Sequence, residues 1–598
     1  MKHRLLTFSA LSLLGTLLLA SCSFIIGPSL GDDTVEKEVS LLDLTSVAEG
    51  GAMEDASKKT MNLRGLQNAD EVFYVSLRDY DSLLSAHYVD NVRSKFSDSD
   101  NTWQVYVGDT YIFYAQLSAS GLTYGGSLYS AMKGEAQRVQ TSTLYYQVKI
   151  DSEVVRADDN RVVTSFSGLR YYRPMSRNGS IYVPLGILDN QFHNDTSIAH
   201  LYGYGLGLLQ YDSRDIFSKT VTVEAKETSV GGLIAAAAKE AGKTTMPQSL
   251  VQYDCDVLTY GFMNNYGLSS TLGIASMEDY WSAYDLKNAL VEKDQGRRMR
   301  NLFDFFARLD DGHTALLNLL PWWDETSEGY SRGKFGDVSR GIRTSLQKSR
   351  QEHRESKKLG IYDLEISDSG ETAMVSLDSF SFAYDAYDGA NIKEGLNVHE
   401  QDSYLYLCRM FQEAADKGVK QVVIDDSVNG GGSVGVLLKL LALISKNNRG
   451  EIGYFNSRNS AARILSASID KTSANAYPYG PSGYVSRDYD FYILTSPYSF
   501  SCANAFPFFA RRAGSAKIIG QNSGGGECTV EVATLPSGRN YAHSTHTHIV
   551  SIDKDAMTYV GVERGAGVDI SLNYADFYNL TAIEKAIQEY KEAQSTEN

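Results

Sequence analysis

Three serines fall close together in "SPYSFSCANAF", residues 496–506. A strand-like run, "DFYILT", leads in and a small-residue stretch leads out, so Ser501 stands where a helix would begin. A serine there can cap the helix, or it can serve as a nucleophile with the next amide, that of Cys502, pointing the same way. Upstream, Gly430, Gly431 and Gly432 separate the buried-strand run "VKQVVIDD" from the helical run "GVLLKLLALIS". Glycines at such a junction let backbone N–H groups turn outward with no Cβ in the way. With a helix N-terminus they can receive a developing negative charge. No Gly-Lys-Ser/Thr follows, which disfavours a phosphate loop. An amide from Gly431 or Gly432, paired with that of Cys502, would form a two-donor oxyanion hole. Each such donor is typically worth about 3 kcal/mol of transition-state stabilisation.

The blocks "DDSVNGGG", "SFSCANAF" and "GQNSGGG" follow in that order. Their order and spacing resemble the C-terminal processing, or tail-specific, serine peptidases, over about residues 250 to 598. The resemblance implies an α/β core of the ClpP/crotonase type and places the nucleophile at Ser501 rather than Ser499 or Ser496. Many members use a Ser–Lys dyad, with the lysine about 25 positions after the serine; here that position is Gly526. Lys517 is near in sequence but lies in the strand-like "AKIIG". A second subgroup, which includes tricorn protease, lacks the lysine and uses an upstream histidine in "DGHT". The counterpart "LDDGHTALL" makes His313 the general base, since imidazole titrates near neutrality. The subgroup's "E-N-x-G-V-x-P-D" is met by "VGVERGAGVDISL", one residue shorter and without the proline. It offers Glu563 as the carboxylate that stabilises the imidazolium, with Asp310 and Asp311 as alternatives.

Some positions depart from the pattern. Asn504 replaces the glutamate after the nucleophile, Ser427 replaces the arginine of "DLR", and Pro507 lies within the expected helix. The alternative to an exported serine endopeptidase acting on polypeptides is therefore an inactive peptidase-like lipoprotein that binds peptide, lipid or glycan. Neither reading requires a cofactor. His546 and His548 of "HSTHTH" would share a strand face. With His543 they are read as strand or cleft positions and not as a zinc set, so no metal is assigned.

These residues need a scaffold. The sequence from 359 to 598 alternates strand and helix patterns, which argues an α/β core. Residues 241–358 are helical, with apolar residues three and four apart, Ser276 as a cap, and a charged cover at the end. Residues 45–240 read as a β-rich auxiliary domain of alternating Tyr and β-branched runs. Within it "YVSLRDYDSLL" and "YVPLGILDNQF" look alike, and "VPL" loosely resembles copper-amine-oxidase N-terminal-like modules of envelope proteins. The start "MKHRLLTFSALSLLGTLLLASC" has a basic end, an apolar run and small residues before Cys22. "LASC" resembles a bacterial lipobox. It implies removal of residues 1–21, lipid on Cys22, a tether over 22–44, and anchorage to a membrane of the cell envelope. A net charge of −17 disfavours nucleic acid as a partner. Of the other cysteines, Cys502 with Cys528 is the pair to test for a disulfide, against buried free thiols.

Overall fold

The structure, a computed structural model, describes residues 34–43, 57–132, 149–157, 161–192, 196–201, 205–210, 220–223, 226–229, 245–317, 333–381, 387–388, 391–392, 402–445, 456–459, 461, 464–473, 489–553, 556 and 558–597. The leader and Cys22 lie outside the described residues. Residues 34–43, read above as tether, form a strand, Thr34–Asp43, inside a seven-stranded sheet.

Apolar runs with no polar alternation make strands buried on both faces. Beside a two-residue edge strand, β1 (Glu365–Ile366), four such runs are β2 (Thr372–Ser376), β3 (Gln421–Asp425), β4 (Asp490–Thr495) and β5 (Ala516–Gly520). They lie side by side in that order, with Ile570–Ser571 closing the sheet. All neighbours are parallel except β1 and β2. Five helices flank the sheet: α1 (Lys334–Lys357), α2 (Ser403–Asp416), α3 (Val434–Leu443), α4 (Cys502–Arg512) and α5 (Leu580–Glu597). Successive strand side chains point to opposite faces, so each strand feeds two cores. Ala373, Val375, Val422, Ile424, Ile493 and Ile518 pack with α2, α3 and α4. Met374, Val423, Tyr492, Leu494 and Ile519 pack with Leu346 of α1 and Ile583 and Ile587 of α5. Each fully buried isoleucine or leucine stabilises this three-layer core by about 1.5–3 kcal/mol.

The consequence for function is positional. The loops after β3, β4 and β5 all leave from the carboxyl edge of adjacent parallel strands, where open α/β sheets collect their sites. These loops are "DSVNGGG", "SPYSFS" and "QNSGGGE".

A second, antiparallel sheet is built on β7 (Asn540–Asp553), flanked by β6 (Cys528–Thr534) and β8 (Thr558–Gly561). The short strand Ala315–Leu316, just after His313, also pairs with β7. The helical run before it is broken into Met277–Ala283, Leu286–Ala289 and Gln295–Leu309. Ser276 caps the first through the Asp279 amide, as expected, and Asp285 breaks the run with φ 48°.

Farther from the site, Ala69–Val75 and Ser180–Pro184 are antiparallel neighbours, and each leads into an eight-residue helix. The two look-alike segments thus form a paired unit. One continuous apolar cluster runs from Val39 through this unit and Leu309 to Tyr541 of β7. The charged cover is also more than a solvated helix. Arg350 of α1 is buried, bonds both oxygens of Asp378 at 2.7 Å, and reaches Asp425 at 3.2 Å.

Candidate active site

The three serines separate by their hydrogen bonds. Ser496 and Ser499 are fully buried, and their hydroxyls donate to the carbonyls of Ser427 and Asp426. They tie the loop after β4 onto the loop after β3. Ser501 is partly exposed and sits at the mouth of α4 with φ 59° and ψ −124°, without capping it. A positive φ is rare for a residue with a Cβ and stores about 1–3 kcal/mol, which surrounding contacts must hold. Here the Ser501 amide donates to the Gly525 carbonyl at 2.9 Å, and Phe500 bridges to Gly525.

The glycine loop closes on this serine. A Cβ at Gly431 would stand 2.8 Å from the Ser501 Cβ and 3.1 Å from the Cys502 nitrogen, so only glycine fits. The oxyanion expectation needs one correction. The Gly431 amide is already committed to the Asn429 side-chain oxygen at 2.8 Å. The amides of Gly432 and Cys502 donate to nothing among the described residues. The Cys502 thiol is buried, donates to the Gly432 carbonyl at 3.1 Å, and is pushed up to about 12 by burial. Cys255, Cys408, Cys502 and Cys528 are all buried and none is in a disulfide, so Cys502 and Cys528 are not bridged.

His313 lies beside the nucleophile loop. Its ring packs edge-on against Phe500 at 4.6 Å, and Phe500 adjoins Ser501. Its Nδ1 is buried without a partner, and no hydrogen bond joins its ring to Ser501 or Glu563. Burial lowers the affinity of the imidazole for a proton, and Asp311 opposes this. Asp311 does not orient the ring. It accepts the His313 amide at 2.9 Å, the Thr314 hydroxyl at 2.5 Å and the Tyr266 hydroxyl at 3.1 Å. Asp310 likewise serves the backbone, accepting the Phe335 amide at the start of α1 at 2.7 Å.

Glu563 reaches the site by another route than the one expected. Its carboxyl accepts the amides of Gly526 and Glu527 at 3.1 and 2.8 Å. Burial pushes it up to about 8. Glu527 returns the favour, accepting the amides of Val562 and Glu563 and the His548 Nδ1–H at 2.8 Å. Although burial opposes it, the His548 bond holds the Glu527 carboxyl below its ordinary range. His546 donates to the Asn264 carbonyl at 2.9 Å and His543 stacks near Tyr541, so the three histidines are strand residues with separate partners.

The departures from the sequence pattern have local explanations. Asn504 is fully buried and braces α4, donating to the Val562 carbonyl and accepting the Ser523 hydroxyl. Ser427 bonds Asp425, which takes its cation from Arg350. At Gly526, the dyad position, φ is +84° and a Cβ would meet the Phe500 ring at 2.7–2.9 Å. Lys517 lies over the Tyr590 ring of α5 and belongs to that packing. Sequence reasoning missed Phe500 and Phe335, whose rings stack at 5.3 Å beside His313. The only signal was a bulky residue inside "SFS".

Residues 372–564 match the family model of peptidase family S41. Among solved structures the chain is similar to a lipoprotein from Streptococcus agalactiae, at 14% identity over 59% of this chain and 98% of that one, with a TM-score of 0.34. It is similar to mature CPAF at 11% identity, 57% and 97% coverage and a TM-score of 0.36. It is also similar to the photosystem II D1 C-terminal processing protease at 12% identity, 36% and 49% coverage and a TM-score of 0.24. No curated protein matches the chain.

Proposed function

We propose that the protein is an exported endopeptidase that cleaves polypeptides with Ser501 as nucleophile and His313 as base, a reading supported by the match of residues 372–564 to the model of peptidase family S41. The observation that carries this reading is the strained backbone of Ser501, whose hydroxyl is not tied into the loop as those of Ser496 and Ser499 are but lies beside the Cys502 thiol. A residue held in a sparsely populated backbone region is a mark of functional sites.

In the reaction, His313 takes the Ser501 proton as the hydroxyl attacks a peptide carbonyl. The free amides of Gly432 and Cys502 receive the oxyanion, and the imidazolium then protonates the leaving amine. An imidazole held neutral by burial suits the first step. The ring must close on Ser501, a contact that often forms only when substrate binds. "LASC" and the leader support anchorage by lipid on Cys22 to a membrane of a bacterial cell envelope.

A second reading, an inactive peptidase-like protein that holds peptide, lipid or glycan, is favoured by one observation: Phe500 packs on His313, which has no bond to Ser501. Fluorophosphonate labelling of the purified protein, with Ser501→Ala as control, separates the two. Labelling of the wild type alone supports the peptidase, and no labelling of either supports the binding protein.

A further inference from the structure

Helix α1 packs on the loop after β4, and its contacts mark two points along that loop. Phe335, Ser339 and Arg343 are spaced four apart, so they share one stripe of the helix. At the first point Phe335, partly exposed, stacks on Phe500 beside His313. At the second the Arg343 guanidinium lies 4.8 Å over the Tyr498 ring. The Tyr498 hydroxyl in turn sits 3.2 Å from where a Gly430 Cβ would be, in the loop that closes on Ser501. Arg343 is exposed and makes no ion pair among the described residues, whereas Arg350 and Arg354 of the same helix both meet carboxylates. A guanidinium held by an aromatic face, with its donors unspent, is pre-arranged for a carboxylate. The chain carries a net charge of −17, so an acidic peptide would otherwise be repelled.

Eight helical residues separate Phe335 from Arg343, about 12 Å along the axis. An extended peptide covers that in about four residues at roughly 3.3 Å each. We propose that α1 reads the substrate at these two points, so that the protein selects peptides with an aromatic or large apolar side chain and an acidic side chain about four residues apart. This rests on the reading of the Ser501 loop as a peptidase site.

The test is a set of fluorescent peptides with one Phe and one Glu at separations of two to six residues, each with a Gln twin, blocked at both ends. Binding is measured by anisotropy on the full-length Ser501→Ala protein, so that turnover is not needed. The Glu peptide with a separation of about four should bind ten- to a hundredfold more tightly than its Gln twin. Arg343→Gln should bring that ratio to about one, and Arg343→Lys should restore part of it. Near-UV circular dichroism checks that each variant is folded. Equal binding of Glu and Gln twins, or a ratio unchanged in Arg343→Gln, overturns the proposal. Failure of wild-type protein to take up fluorophosphonate would strike the peptidase reading and leave this binding result standing.

Discussion

Asp426 predicts a pH-dependent stability that one substitution should abolish. The residue follows β3 and is fully buried; neither carboxyl oxygen has a well-formed hydrogen bond, and the nearby Asn429 side chain offsets the burial only in part. Burial, reinforced by Asp425, drives its carboxyl well above the ordinary 3.8, so the folded protein keeps it neutral. The sign follows from proton counting. Above 3.8 the unfolded chain releases this proton while the folded chain holds it, so stability falls as pH rises, by about 1.4 kcal/mol per unit within the window. Between pH 5 and 7 the loss reaches up to about 2.7 kcal/mol. Asp426→Asn keeps the size and cannot ionise, so it should match wild type near pH 4 and exceed it increasingly toward neutrality. At about 2–4 °C per kcal/mol for a mid-sized domain, that ceiling corresponds to a rise in Tm at pH 7 of up to roughly 5–11 °C. Thermal melts of both proteins at half-unit steps from pH 4 to 7.5 give the difference curve, which cancels other buried carboxyls such as Glu563 and Asp254. A flat difference would mean that Asp426 is ionised and paired in the fold, and the argument from its burial would fail.

Activity should depend jointly on Ser501 and His313. Ser501→Ala, His313→Ala and the double variant should leave similar residual rates on an unfolded protein substrate, because a nucleophile and its base act as a unit. The wild-type rate should hold below pH 6.5 before it drops, since burial lowers the histidine pKa; near-normal turnover by His313→Ala would place the base elsewhere. Gly526→Lys should not rescue a dyad in a peptidase assay. Its Cβ would meet Phe500 at 2.7 Å and its φ of +84° costs a residue with a Cβ about 1–2 kcal/mol. A large gain in rate would instead reveal a decayed lysine enzyme. Cys22→Ser should shift the protein from the membrane to the soluble fraction, and an unchanged partition would mean another anchor.

What could be read in the sequence divides by range. The parallel core was legible because its signal is local: "QVVID", "DFYILT" and "AKIIG" carry no polar alternation, and only burial on both faces explains that. Ser501 was legible because strand, turn and helix mouth are contiguous. Gly431 as an oxyanion donor was not, since the amide goes to Asn429, two residues back, and a side-chain bond of that kind leaves no periodic trace. The docking of α1 was also hidden. Its run of charge hides Arg350, whose partners Asp378 and Asp425 lie 28 and 75 positions away. Likewise, nothing near "DGHT" says that Phe335 will cover Phe500.

The role of Glu563 follows from asking what holds Ser501 in its strained backbone. The Ser501 amide rests on the Gly525 carbonyl. Gly525 has φ 93°, and a Cβ there would collide with the Glu563 carbonyl. The next two amides, of Gly526 and Glu527, are bound by the Glu563 carboxyl, and the Glu527 carboxyl binds the Val562 and Glu563 amides in return. His548 fixes Glu527 from β7. Two buried carboxyls thus clasp two turns, and the clasp fixes the carbonyl on which the nucleophile's amide rests. A carboxyl occupied in this way positions Ser501 through the backbone, whatever it later does for His313. Glu563→Gln preserves an acceptor and the size of the side chain, and a carboxyl raised to about 8 is already mostly neutral at pH 7. If the clasp is the main role, that variant keeps most of its turnover at pH 7 while Glu563→Ala loses it. If the anion is needed by the imidazolium, both variants lose turnover alike, and the wild-type rate climbs through pH 8.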